Sequence, residues 1–190
     1  MLGRIFGRGA DAEAGHVDAE SVVGLLKVGA IKGVNLAIRD IGRRSSDPYV
    51  TLSYGNQEVK TRIMHHNCNP QWNEGLTLYA TKSDITIRLV VVFDHDTCSA
   101  DDEMGEAEID VKPYLKCYKG LNMAMMTSNM SRPQEGGLIS MVQPTKKNCL
   151  ARESCIVWGK GKLVQEMSLV LRNVECGEVD IEIEIRELPH

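Results

Sequence analysis

Aromatic side chains are scarce in this sequence: two Trp, two Phe and five Tyr make up only 5% of its 190 residues. That scarcity argues against an aromatic-lined ligand pocket, whereas plentiful Val, Ile and Leu suit short strands packed face to face. No apolar run approaches the ~20 residues that span a bilayer, and residues 1–10 lack the apolar stretch of a signal peptide. The chain therefore reads as soluble and unsecreted. Position 2 is Leu and the sequence closes on ELPH, so neither a myristoylation nor a prenylation signal is present, and any meeting with a membrane is expected to be reversible. A strong excess of one charge is lacking too: a formal −4 leaves no global field to draw in nucleic acid. The six cysteines (Cys68, Cys98, Cys117, Cys149, Cys155, Cys176) include no C-x-x-C pair and no His at zinc spacing, and are expected to be reduced, mostly structural thiols. Nucleophile elbows, P-loops and metal-hydrolase spacings are also missing, which argues against an enzyme.

What is present suits one well-buried core, given the length and a hydrophobic content of 43%. Residues 1–21, rich in Gly, Ala and charge, read as an N-terminal tail; Ile5 and Phe6 between Arg4 and Arg8 are the ingredients of a small lipid-touching helix, the rival reading of that segment. Residues 22–190 read as one domain. Strand patterns occupy 24–36, 47–55, 58–64, 71–80, 85–93, 104–111, 162–171 and 178–188, separated by turn signals such as HHNCNP at 65–70. The last of them alternates strictly, which sends Val179, Ile181, Ile183 and Ile185 inward and leaves Glu178, Asp180, Glu182 and Glu184 in water. Between about 112 and 162 the pattern is less regular and includes the Met-rich NMAMMTSNM (122–130), read as core or helix filler before a partner face. The expected fold is all-β: an eight-stranded antiparallel sandwich with an inserted segment, open to a helix, before the last two strands.

The most informative local feature is FDHDTCSADDEMGE at 93–106. Asp94 and Asp96 follow a strongly apolar strand and lie two residues apart, so they share one side, and Asp102 comes eight residues after Asp94. Crowded carboxylates repel unless a cation joins them, and calcium takes six to eight oxygen ligands. A second acidic supply exists in AIRDIGRRSSDPYV (37–50), where Asp40 and Asp47 close and open successive apolar runs. An EF-hand starting at Asp94 is excluded, because Cys98, Ser99 and Gly105 stand where it needs an oxygen ligand, Gly and Glu.

In that order and approximate spacing, GVNLAIRD, SDPYV, NPQWNE and FDHD with DDEMGEAEI resemble the C2 domain. NCLARES (148–154) and VECGE (174–178) extend the resemblance to nearly all of 22–190 and narrow it to the plant family of small C2-domain proteins related to abscisic acid signalling. That resemblance implies a single C2 domain with a family-type insertion at about 112–162 and calcium-dependent binding to anionic phospholipid membranes. It also implies recruitment of abscisic acid receptors of the PYR/PYL type to the plasma membrane, stimulation of a YchF-type GTPase in some members, and a cytoplasmic, membrane-peripheral location with the nucleus as a second site. Carried over residue by residue, the calcium-ligand aspartates fall on Asp40, Asp47, Asp94, Asp96 and Asp102, with backbone oxygens from Arg39 and His95, and with Asp101 supplying outer charge.

Two departures from the family qualify the transfer: the extended tail, and a longer first loop carrying Arg43 and Arg44. That loop either swings Asp40 away from Asp47 or presents its arginines to lipid phosphates, where each is worth ~1 kcal/mol. Ile41 and TCSA (97–100) at the loop tips carry little apolar surface, so membrane insertion is expected to be shallow and salt-sensitive. Lys60 and Arg62 resemble the basic patch that selects phosphoinositide head groups, against the plainer reading of a solvated edge. A rival function is a calcium-independent protein-interaction scaffold with a vestigial metal site.

Overall fold

Alternating and β-branched segments become strands in the computed structural model, which describes residues 22–40, 42, 44–81, 86–96, 100–127 and 132–186. Among these residues lie β1 (Val22–Val34), β2 (Pro48–Tyr54), β3 (Gln57–Lys60), β4 (Gln71–Thr81), β5 (Thr86–Asp94), β6 (Asp102–Asp110), β7 (Leu138–Val142), β8 (Ser154–Gly159), β9 (Lys162–Val170) and β10 (Glu178–Arg186), with the helix α1 (Lys112–Thr127) between β6 and β7. They build a six-stranded sheet ordered β4-β1-β10-β9-β8-β7 and a four-stranded sheet ordered β3-β2-β5-β6. The eight expected strands are all present, and the inserted segment contributes α1 together with two further strands that lengthen the larger sheet. The tail at 1–21, with Arg4, Ile5, Phe6 and Arg8, lies outside the described residues.

The core fills the space between the sheets. Val28, Val50, Leu52, Trp72, Val92, Met104, Ile156, Val179 and Ile183 are fully buried there, and Ile181 joins them as the period-2 pattern requires. Two outward residues depart from expectation: the Asp180 side chain is only 16% exposed, held by Lys32, Arg152 and Ser168, and Glu184 departs further. Glu184 is 2% exposed rather than in water, because Lys27 from β1, Lys162 from β9 and Arg186 fold over its carboxylate. A buried carboxylate needs such pairing to stay ionised. The run expected as a strand over 58–64 stops pairing as a ladder at Lys60. Beyond it the Thr61 N–H still donates to the Val50 carbonyl at 2.9 Å, but the return bond goes to a side chain: the Thr61 hydroxyl accepts the Val50 N–H at 3.0 Å and donates to the Arg62 carbonyl at 3.0 Å.

At the other end of the sandwich, α1 begins where Asp110 accepts the Lys112 N–H at 3.0 Å, with Pro113 in the first turn. The helix buries Tyr114, whose hydroxyl donates to the Leu163 carbonyl at 2.8 Å and accepts the Ile185 N–H at 2.9 Å. Tyr114 thus joins the insertion to β9 and β10. Tyr114→Phe keeps the ring but strands two buried backbone groups, so the denaturation midpoint is expected to fall by about 1–3 kcal/mol of stability with the slope unchanged. Met123 and Met126, from the Met-rich run, stand exposed at 66% and 83% on the same helix.

Candidate metal centre at the loop end

Antiparallel pairing returns the turns at 35–47, 61–70, 95–101 and 171–177 to one end of the sandwich, since Pro48 pairs with Asp94, Asp94 with Asp102, and Val34 with Glu178. The first turn is pinched rather than splayed. Asp40 and Ser45 exchange backbone hydrogen bonds at 3.0 and 3.4 Å. The fully buried Ser46 donates through Oγ to the Ala37 carbonyl at 3.0 Å and accepts the Arg39 N–H at 2.9 Å. The longer loop therefore keeps Asp40 beside Asp47. Carboxylate oxygens of these two residues and a ring nitrogen of His66 lie within 4.8 Å of one another.

Asp94, at the end of β5, is only 3% exposed. Its Oδ1 accepts the Asp47 N–H at 2.5 Å, while the Asp47 carbonyl accepts the His95 N–H at 3.1 Å, so the first and third turns are stitched together. Burial, and then the negative charges of Asp40, Asp47 and Asp96, push the Asp94 carboxyl above its ordinary range despite that N–H. Asp47 shifts the other way: burial opposes ionisation, but His65 Nδ1 at 2.8 Å and the His66 N–H at 2.7 Å favour it and prevail. Asp102 is exposed at the start of β6, opposite Asp94.

Asp101 is engaged both by β2 and within its own turn. It accepts the Tyr49 hydroxyl at 2.6 Å and the Asp96 N–H at 3.0 Å, and lies 3.2 Å from His95 Nδ1. These contacts hold its carboxyl below the usual range although burial opposes them. The hydrogen bond to Asp101 adds to burial in driving the Tyr49 hydroxyl well above its normal value.

Of the basic candidates, Lys60 ends β3 and Arg62 lies in the turn that follows it. Lys60 pairs with Glu58 at 3.4 Å and lies over the Tyr49 ring at 5.8 Å. Arg62 pairs with Glu74 at 3.3 Å and donates to the Trp72 carbonyl at 3.0 Å. Arg44 is exposed. Arg43, Ile41 and residues 97–99 lie outside the described residues.

The donor set is chemically apt for a hard cation: several carboxylates with backbone carbonyls nearby, and one of the acids held in a buried position where ionisation is penalised unless positive charge arrives. His65 and His66 are not singled out by the sequence, where HHNCNP reads only as a strand breaker. The available signal is topological, because successive strands alternate in direction, so the turn between β3 and β4 returns to the same end as the acidic turns.

Raised on folding, the Asp94 pKa makes this group's contribution to stability greatest at low pH and lost as the pH climbs through the raised value; Asp47 and Asp101, whose pKa values are lowered, contribute above the normal carboxylate range and lose that contribution as pH falls. In chelator at neutral pH, Asp94→Asn keeps an acceptor for the Asp47 N–H and removes the penalised charge. Its melting temperature is expected to rise, by ~2–4 °C for each kcal/mol relieved, which thermal scans at pH 7 measure directly.

Two packed antiparallel sheets with carboxylates gathered on the turns at one end define a C2 domain, and the C2 domain family profile matches residues 24–125. In fold, the chain is similar to the first C2 domain of plant Extended Synaptotagmin 1, with a TM-score of 0.56 at 18% identity over 89% of this chain and 98% of that one. It is similar also to the calcium-bound pair of C2 domains of Extended-Synaptotagmin 2, with a TM-score of 0.53 at 18% identity over 88% of this chain and 47% of that one. In sequence it is 44% identical over 170 residues, 90% of each chain, to Protein C2-DOMAIN ABA-RELATED 4 of Arabidopsis thaliana. The chain belongs to the plant family of C2-domain ABA-related proteins.

Proposed function

We propose that residues 22–190 act as one calcium-dependent C2 unit that docks on anionic phospholipid through the turns at 35–47 and 95–101. The observation that carries this reading is the buried Asp94, surrounded by the charges of Asp40, Asp47 and Asp96. C2 domains typically bind calcium and phospholipid. Asp40, Asp47, Asp94, Asp96 and Asp102 would hold the ion, with the Arg39 and His95 carbonyls as further donors. Calcium there supplies positive charge and free coordination positions for a phosphate oxygen. The chain's own residues do the rest. His65 and the His66 N–H orient Asp47, Tyr49 holds Asp101 and with it the third turn, and Arg43 and Arg44 offer guanidinium groups to neighbouring phosphates. Lys60 and Arg62 flank the site as head-group contacts once Glu58 and Glu74 release them.

Membrane docking then places the insertion at 112–162 to meet protein partners: abscisic acid receptors of the PYR/PYL type, a choice supported by relatives whose name reads ABA-related, and a YchF-type GTPase stimulated rather than copied, this chain being non-catalytic. The chain works at the plasma membrane from the cytoplasm, and in the nucleus.

Sedimentation with phosphatidylserine vesicles tests this reading. Binding in calcium that disappears in chelator is the expected result; equal binding in both would favour the scaffold reading. One observation supports that rival: Met123 and Met126 on α1, and Leu138 and Met141 on β7, are exposed within the insertion, an apolar surface available to a protein without any ion.

A further inference from the structure

Arg39 immediately precedes Asp40, yet its side chain turns toward a part of the molecule that the acidic turns do not explain. The guanidinium grips Glu175 bidentately, Nη1 to Oε1 at 2.8 Å and Nη2 to Oε2 at 3.2 Å, and its Nε donates to the Glu103 carbonyl at 3.4 Å. One side chain therefore ties three segments together: the first turn, the start of β6 beside Asp102, and the β9–β10 turn. Asp102 is near enough for its charge to act on the guanidinium as well.

Glu175 itself stands on a fixed mount. Leu171 N–H bonds the Gly177 carbonyl at 3.0 Å, and Arg172 and Glu106 exchange backbone hydrogen bonds at 2.7 and 3.1 Å. Gly177, at φ +124°, lies so close to the first turn that a Cβ there would sit 3.3 Å from Leu36 Cδ2. An exposed ion pair contributes little to stability on its own. What it does here is geometric. Released from Glu175, the Arg39 cation has Asp102 as its next anion, and it would then compete for the carboxylate expected to hold a metal.

We propose that Glu175 is a positioning residue for the cation cleft: its bidentate grip holds Arg39 on the β9–β10 turn, which keeps that guanidinium off Asp102 and fixes the backbone that leads into Asp40. The inference rests on the calcium reading above. The β9–β10 turn becomes, on this account, a fourth wall of the cleft that supplies no ligand of its own.

Calorimetric calcium titration of the full chain tests it, with the variants Glu175→Gln, Glu175→Asp, Arg39→Gln and the Arg39→Gln/Glu175→Gln pair, and with melting temperatures taken in chelator. Glu175→Gln is expected to weaken calcium binding roughly tenfold, the lower end for a lost outer partner of a metal ligand. The loss should shrink at 1 M salt relative to 0.15 M, because the screening length falls from about 8 Å to 3 Å and an exposed Arg39–Asp102 pair weakens with it, and the chelator melting temperature should not move. Glu175→Asp should retain most of the affinity. In the Arg39→Gln background, Glu175→Gln should add no further loss, since the cation it restrains is gone. Unchanged affinity or additive losses in the pair would each overturn the proposal while leaving calcium binding standing. A wild-type chain that gives no calcium heat would instead overturn the calcium reading itself.

Discussion

Asp94→Asn/Asp96→Asn abolishes calcium-dependent sedimentation with phosphatidylserine vesicles and leaves a chain that folds as well in chelator as the parent. Asp94 is the only one of the five expected ligands that is almost wholly buried, and its carboxylate is already crowded by Asp40, Asp47 and Asp96. Asparagine preserves the size and the acceptor for the Asp47 N–H, so the two turns remain stitched. What disappears is two units of negative charge at the centre of the donor set. Calcium affinity in proteins follows ligand charge over several orders of magnitude, so a loss on the order of a hundredfold or more is expected. Parallel assays in calcium and in chelator measure it. Residual calcium-dependent sedimentation at the parent level would remove these aspartates from the site.

Trp72→Ala produces the largest loss of stability. Trp72 is fully buried in β4 and heads the order of buried side chains by volume, and its indole N–H donates to the Pro48 carbonyl at 3.3 Å. Truncation empties a large volume at a cost of about 3–5 kcal/mol and takes one of two donors from the Pro48 carbonyl next to Asp47, the Met64 N–H at 3.1 Å remaining. For a chain of this size that is a fall of roughly 10 °C in melting temperature. Because Pro48 follows Asp47 directly, calcium should also lose part of its stabilising effect on whatever remains folded. Thermal scans with and without calcium separate the two losses, and equal shifts in both conditions would show that Trp72 serves the core alone.

The strands were legible because their periodicity is local: Val179, Ile181, Ile183 and Ile185 alternate, and all four are buried. Glu184 obeys the same alternation and still ends up covered, since the cations that enclose it come from β1, β9 and the residue two places on; no window along the sequence contains them together. β7 and β8 are five and six residues long, too short to stand out within an irregular stretch. In the candidate site the carboxylates announced themselves by spacing and by family resemblance. Their partners did not. Tyr49, His65 and Glu175 meet Asp101, Asp47 and Arg39 across separations of 52, 18 and 136 residues, which only the pairing of the strands reveals.

The strand order β4-β1-β10-β9 places β10 between β1 and β9, so the strand made first in this sheet takes as its central neighbour the one made last. On a translating ribosome, β1 emerges and can pair with β4 at once, but its other edge stays open until residues 178–186 have cleared the exit tunnel. The six-stranded sheet therefore closes only after nearly the whole domain has been synthesised, and both β1 and β9 wait with unpaired backbone exposed. Folding is thereby tied to completion of the domain: a nascent polypeptide stalled before β10 presents two sticky edges to chaperones and to its neighbours, whereas a finished one hides both in a single step.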